Sequence, residues 1–213
     1  MDRRGRFITL EGPEGAGKST QAEMLCAALR SRGIECVATR EPGGTVLAEK
    51  LRDLIKHFRS DGEAVTPVAE LLLMNAARAQ HVQYRILPAL ESGKWVICDR
   101  FSDSTLAYQG YARGMDRDFI VRTDRAAAGH CPIDRTLLFD LPVEAGFART
   151  RTRTATAGNF DRFEREDRDF HERVRAGFLA LAAAEPARFR IIAADRTPDE
   201  VHASVMEALH DFL

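Results

Sequence analysis

The stretch that most constrains this chain is Gly12-Pro13-Glu14-Gly15-Ala16-Gly17-Lys18-Ser19. It follows a short apolar run, Arg6–Leu10, and opens a segment, Ser19–Arg32, whose apolar residues recur at helical spacing. A strand, a turn of the form G-x-x-x-x-G-K-[ST] and then a helix is the local order in which a backbone cradle for phosphate forms. The glycines let successive N–H groups converge on an anion, and the helix N-terminus adds a partial positive charge. Residues Gly12 to Ser19, with Thr20 behind them, are therefore expected to bind a nucleoside triphosphate. Lys18 should bridge the β- and γ-phosphates, and the Ser19 hydroxyl should ligate Mg2+.

The rest of the chain repeats the same grammar. Cys36–Thr39, Trp95–Cys98, Thr136–Phe139 and Arg190–Ala193 read as further buried strands. Leu47–Phe58, Pro67–Glu91, Asp116–Ala128, Val143–Thr152, Asp169–Ala184 and Pro198–Leu213 carry apolar residues near a period of 3.6. Thr197 is a candidate N-cap and Pro198 a first-turn proline. Such alternation implies right-handed crossovers and a parallel sheet between two layers of helices, an α/β fold. No repeat or Gly/Pro/Ser-rich linker interrupts it, so one domain over residues 1–213 is expected. Residues 149–168 stand apart, poor in large apolar side chains and dense in Arg, Thr and Asp, and read as a mobile surface excursion.

Composition narrows the function. Of 213 residues, 31 are Lys or Arg and 32 are Asp or Glu, and the net charge of −1 argues against a nucleic-acid coat. Apolar residues at 45% suffice for a core and, with charges nearly cancelled, exclude intrinsic disorder. No run approaches the roughly 20 apolar residues that span a bilayer. The N-terminus does not read as a signal peptide, because its strand-like stretch is broken by Glu11. Cys26, Cys36, Cys98 and Cys131 are widely spaced, without Cys-x-x-Cys pairs or clustered zinc ligands, as in a reduced cytoplasmic protein.

Two further stretches carry chemistry. In Trp95-Val96-Ile97-Cys98-Asp99-Arg100 an apolar strand ends in an acid, which suits Asp99 to a Walker-B role on Mg2+. Ligands of open α/β sheets bind at the carboxyl ends of strands. Arg100, next to that acid, suits a second phosphorylated substrate better than water as acceptor. Arg40-Glu41-Pro42-Gly43-Gly44-Thr45 follows the second strand, and its local chemistry favours a plain tight turn with Thr45 capping the next helix.

Taken together, these three elements resemble the bacterial thymidylate kinases. The likeness continues through Leu47–Arg52, Ala76–Gln80, Asp103–Gly110 and Asp161-Arg162-Phe163-Glu164, in order over nearly the whole chain. It implies a three-layer P-loop fold with a five-stranded parallel sheet, a homodimer, and phosphorylation of dTMP by ATP with Mg2+. By this likeness Arg100 would hold the dTMP phosphate with Arg52 close by. Arg78 and Gln109 would read the thymine edge beside Thr105. Tyr108 would sit against the deoxyribose, and Glu14 would face the acceptor's sugar and reacting phosphate. On spacing alone Arg52 and Arg78 would be solvated helix arginines. The P-loop carries Glu14-Gly15 where some relatives place a catalytic arginine. A closing lid, about 149–168, would then supply it, with Arg153 the candidate ahead of Arg151 and Arg162, and Arg149 lying over adenine. Relatives usually stack an aromatic ring on thymine where this chain has Met74.

Other readings have specific weaknesses. A kinase for another nucleoside monophosphate, with altered base preference, is motivated by Met74. A GTP switch lacks its guanine reader, since neither Asn75 nor Asn159 is followed by Lys-x-Asp. A binding-only pseudokinase would not keep Lys18, Ser19, Asp99 and Arg100 together.

Overall fold

A computed structural model describes residues 4–58, 60–157, 162–163 and 165–213, without the side chains of 152–157. Five strands form one parallel sheet: β1 (Phe7–Glu11), β2 (Cys36–Arg40), β3 (Trp95–Asp99), β4 (Arg135–Asp140) and β5 (Phe189–Ala193). They lie in the order β2-β3-β1-β4-β5. The sheet thus reverses direction of growth at β1, the position where α/β folds open a ligand crevice. Register sets Leu10 of β1 opposite Asp99 of β3, so both strands deliver their ends to one place.

Alternation along β1 feeds two cores. Ile8 and Leu10 pack with Ile97, Leu137 and Phe139 under α1 (Lys18–Ser31) and α9 (Pro198–Ala208). Phe7, Val96 and Cys98 pack on the opposite side against Val82, Ile86 and Leu90. Each such side chain, removed completely from water, contributes about 1.5–3 kcal/mol before entropy is counted. Thr9 is buried between these sets and is satisfied by Thr136 across the strand pair, at 2.8 Å.

The expected helices form, with four corrections. The span 67–91 is α3 (Pro67–His81), a π turn at Val82–Ile86 and α4 (Leu87–Glu91). Pro88 explains the interruption: it lacks an N–H and crowds the preceding turn, and Leu87 donates instead to the Val82 carbonyl. A helix not expected from periodicity, α5 (Ser102–Thr105) with a π segment Leu106–Ala112, follows β3. The helix beginning at Val143, α7 (Val143–Ala157), runs past Thr152 into the stretch read as an excursion, because Arg and Ala are good helix formers. The remaining helices are α2 (Val46–His57), α6 (Arg117–Ala128) and α8 (Arg168–Ala184). Thr45 caps α2 by accepting from the Ala48 N–H, and Thr197 caps α9 in a full capping box with Glu200. The last helix ends at Ala208, with a short 3-10 turn at His210–Phe212.

Candidate active site

The carboxyl ends of β1, β2 and β3 open into a cleft of about 750 Å³, within the usual range for small-molecule sites. Its floor is the turn after β1. Gly12 adopts φ 136°, and a Cβ there would come within 2.3 Å of the Phe139 carbonyl, so only glycine fits. Gly15 approaches Gly146 of α7 so closely that a Cβ would meet its carbonyl at 2.7 Å. The turn is therefore seated directly on the helix that carries the arginine-rich segment.

Lys18 is buried, and its Nζ donates to the carbonyls of Pro13 (2.7 Å) and Gly12 (3.1 Å). Burial, reinforced by the Arg100 charge, lowers its pKa to about 8 against the pull of Asp99, Glu14 and Glu11. The Ser19 hydroxyl donates to Asp99 Oδ2 at 2.5 Å, bringing together the two oxygen ligands singled out in the sequence.

Arg100 sits at the mouth of β3 with φ 70°, an unfavourable backbone angle for a side chain of this size. Its surroundings over-determine the position. The Arg100 N–H donates to the Leu10 carbonyl, and the guanidinium donates to Gly12 O, Ser104 Oγ, Glu14 Oε1 (2.8 Å) and Tyr108 OH. The same guanidinium lies 5.1 Å from the Tyr108 ring centre. Burial holds the Tyr108 phenol well above its ordinary pKa, so its hydroxyl keeps its proton.

The far end of the cleft is lined by Arg52, Met74, Arg78, Thr105, Gln109 and Phe163. Arg52 donates to the Pro42 carbonyl in the turn after β2. Arg78 is not a solvated helix arginine: it is 3% exposed and donates to Glu41 (2.7 Å), Thr105 (2.9 Å) and Asp124. His81 supports the same carboxylate through Glu41 Oε1 at 2.9 Å and meets Thr39 Oγ1 at 2.7 Å. Gln109 donates to Glu70 Oε1 at 2.9 Å. Arg149 lines the P-loop end and donates to the Ala194 carbonyl at 2.9 Å.

Among the described side chains, the expected residues from Glu14 to Thr20, with Arg52, Met74, Arg78, Asp99, Arg100, Thr105, Tyr108, Gln109 and Arg149, line this one cleft. The Arg153 side chain lies outside the described residues, as do Asp161 and Glu164.

Several residues that shape the cleft escaped the sequence reading. Glu11 is fully buried at the end of β1 and accepts from the Phe101 N–H (2.7 Å) and Ser104 Oγ (2.5 Å). Burial, with the like charge of Asp103, raises its pKa to about 8. Asp103 itself is tied to Arg188, at 2.7 and 3.0 Å. The one signal for Glu11 was its position, a carboxylate closing an apolar strand next to the glycine turn. Asp124 and Glu70 had no local signal, since a carboxylate on a helix is most often solvated.

A phosphate cradle at one end of the cleft, an oxygen pair beside it suited to a hard cation and an arginine facing the far end of the same cleft define a P-loop phosphotransferase. The thymidylate kinase family model matches residues 10–205. A thymidylate kinase of Rhizorhabdus wittichii is 53% identical over 98% of this chain and 99% of its own length. One of Desulfovibrio desulfuricans is 49% identical over 97% of this chain and 96% of its own. A crystal structure of thymidylate kinase from Ehrlichia chaffeensis superposes with a TM-score of 0.77 at 34% identity, covering 97% of this chain and 99% of that one. The chain belongs to the thymidylate kinase family.

Proposed function

We infer that the protein transfers the γ-phosphoryl group of ATP to dTMP, giving ADP and dTDP. The observation that carries this reading is the Arg100–Glu14 contact at 2.8 Å, which joins the P-loop to the pocket beyond it. An enzyme that used water as acceptor would have no need of a cleft extended past Arg100 to Arg78 and Gln109.

In this reading the P-loop amides and Lys18 hold the β- and γ-phosphates. Arg100, with Arg52 near, holds the dTMP phosphate in line for attack. Glu14 orients Arg100 and the acceptor. Ser19 and Asp99, two hard oxygen ligands in contact, fit Mg2+, which usually takes few protein ligands and completes its shell with phosphates and water. When bound, the ion supplies charge neutralisation between phosphates. Positioning and charge stabilisation account for most of such a transfer, so no covalent enzyme intermediate is invoked. Arg153 on α7 is proposed to stabilise the transferring group, supported by the seating of that helix on Gly15. Arg149 is proposed to lie over adenine.

A homodimer is proposed as well. Helices α2 and α3 leave Leu47, Leu54, Val68 and Leu72 exposed, and these pairs fall at helical spacings that put each on one face. No helix of the described residues is long and apolar enough to cross a membrane. Four cysteines without a disulfide support a reducing compartment such as the cytoplasm.

Coupled ADP release, with and without dTMP, tests the reading. Turnover should require the monophosphate and nearly vanish in Lys18→Ala with thermal unfolding unchanged. Equal turnover without an acceptor would replace it with an ATPase or switch.

A further inference from the structure

Among the described residues, Arg100 is the one non-glycine with a positive φ, at 70°. It is also the residue that faces the acceptor. The strained turn lets the chain leave β3 at Asp99 and enter α5 at Ser102 while the guanidinium stays on Gly12 O and Glu14 Oε1. Such a conformation persists only where its neighbours enforce it. The Arg100 N–H is held by the Leu10 carbonyl at 2.9 Å. The peptide on the other side is fixed at both ends. The Cys98 thiol donates to the Arg100 carbonyl at 3.0 Å, and the Phe101 N–H donates to Glu11 Oε1 at 2.7 Å. A thiol is a weak donor, so the carboxyl is the stronger of these two holds. Glu11 has a second. Its Oε2 lies 2.5 Å from Ser104 Oγ, and Ser104 Oγ accepts from Arg100 Nη1 at 3.0 Å. Whichever oxygen of the Glu11–Ser104 pair carries the proton, a lone pair of Ser104 remains for the guanidinium. One fully buried side chain thus fastens both the main chain and the side chain of Arg100.

We propose that Glu11 is a positioning residue for the acceptor phosphate: from behind the cleft it holds the strained turn that keeps the Arg100 guanidinium in place. Glu11 itself touches no substrate. Without its carboxyl the N–H of buried Phe101 would lose its acceptor, and a buried donor left unsatisfied is costly. The peptide would turn toward another partner, Arg100 would relax toward negative φ, and Ser104 would be released with it. The guanidinium would then leave its place between Gly12 and Glu14. The far end of the cleft rests on α3 through Met74 and Arg78, so the loss should fall on the phosphate and spare the nucleoside.

This rests on the reading of dTMP as acceptor, and the experiment separates the two. The probes are dTMP and thymidine, which differ only in the 5′-phosphate, and calorimetry on the whole chain gives the affinity of each. Glu11→Ala should weaken dTMP at least about tenfold, the worth of one charge-assisted contact, and change thymidine by less than about twofold. KM for ATP should also stay within about twofold. Glu11→Gln, whose amide can accept from Phe101 and donate to Ser104, should restore most of the dTMP-to-thymidine ratio. Equal losses for both probes in Glu11→Ala, no loss for either, or no recovery in Glu11→Gln would overturn the proposal. Should Glu11→Ala fail to fold, Ser104→Ala cuts the second hold alone and should lower the same ratio about threefold. An unchanged ratio there overturns the proposal. A wild-type protein that binds dTMP no more tightly than thymidine refutes the functional reading instead.

Discussion

Replacing Glu11 by Gln isolates a strongly displaced carboxyl buried at the end of β1, behind the cleft. Glu11 has no exposed surface, faces the like charge of Asp103, and is raised from 4.5 to about 8 despite Ser104, Arg100 and the Phe101 N–H. Between those values the folded chain keeps a proton that the unfolded chain gives up. A raised carboxyl pKa therefore contributes stability that is complete below about pH 4.5 and is lost as pH rises through about 8. The slope is about 1.4 kcal/mol per pH unit inside the window. Glutamine imitates the protonated acid: its oxygen can accept from Phe101 and its NH2 can donate to Ser104 Oγ. Wild type and Glu11→Gln should therefore be close in stability at pH 5. By pH 7.5 the variant should be more stable by on the order of 3 kcal/mol, an upper figure because local relaxation lowers it. Urea unfolding of both proteins at half-unit pH steps gives the difference directly. A difference constant to within about 0.5 kcal/mol across that range would refute the burial argument.

Three other outcomes follow from the same geometry. With Lys18 lowered to about 8, ATP binding at pH 8.5 should take up a proton that it does not take up at pH 6.5, because phosphate restores the ammonium. Calorimetry in buffers of different ionisation enthalpy reads the uptake, and none at either pH would contradict the burial of Lys18. Met74→Phe should change kcat/KM for dTMP by less than about tenfold, mostly in KM, since thioether and ring contacts with a base are of similar size. A gain of several hundredfold would point to a different natural substrate. Arg153→Ala should lower kcat far more than it raises KM for dTMP, and an effect confined to KM would move the transfer role to Arg151 or Arg162.

The sheet and the phosphate cradle were legible because both are local. Leu10, Gly12 and Lys18 follow one another in the chain, and periodicity alone separates β1 from α1. The carboxylates that organise the cleft were not legible, because their partners are remote. Glu70 meets Arg162 across 92 positions, and Arg78 meets Asp124 across 46. Nothing in the neighbourhood of any of these residues distinguishes it from a solvated helix charge. Arg78 is the plainest case: spacing made it a surface arginine, and burial among Glu41, Thr105 and Asp124 overturns that. The π segments escaped for another reason. Pro88 signals a disturbed helix, but whether the chain breaks or inserts a wider turn is decided by packing of Val82 and Ile86 on β3.

The central claim is that the pocket beyond Arg100 takes dTMP and receives the phosphoryl group. Initial rates of ADP formation at fixed ATP and Mg2+ with dTMP, dUMP, dCMP, UMP and dGMP as acceptors test it most directly. The highest kcat/KM should belong to dTMP, with dTDP as product and a negligible rate without acceptor. A higher kcat/KM for any other monophosphate, or ADP formation that no monophosphate increases, would contradict it.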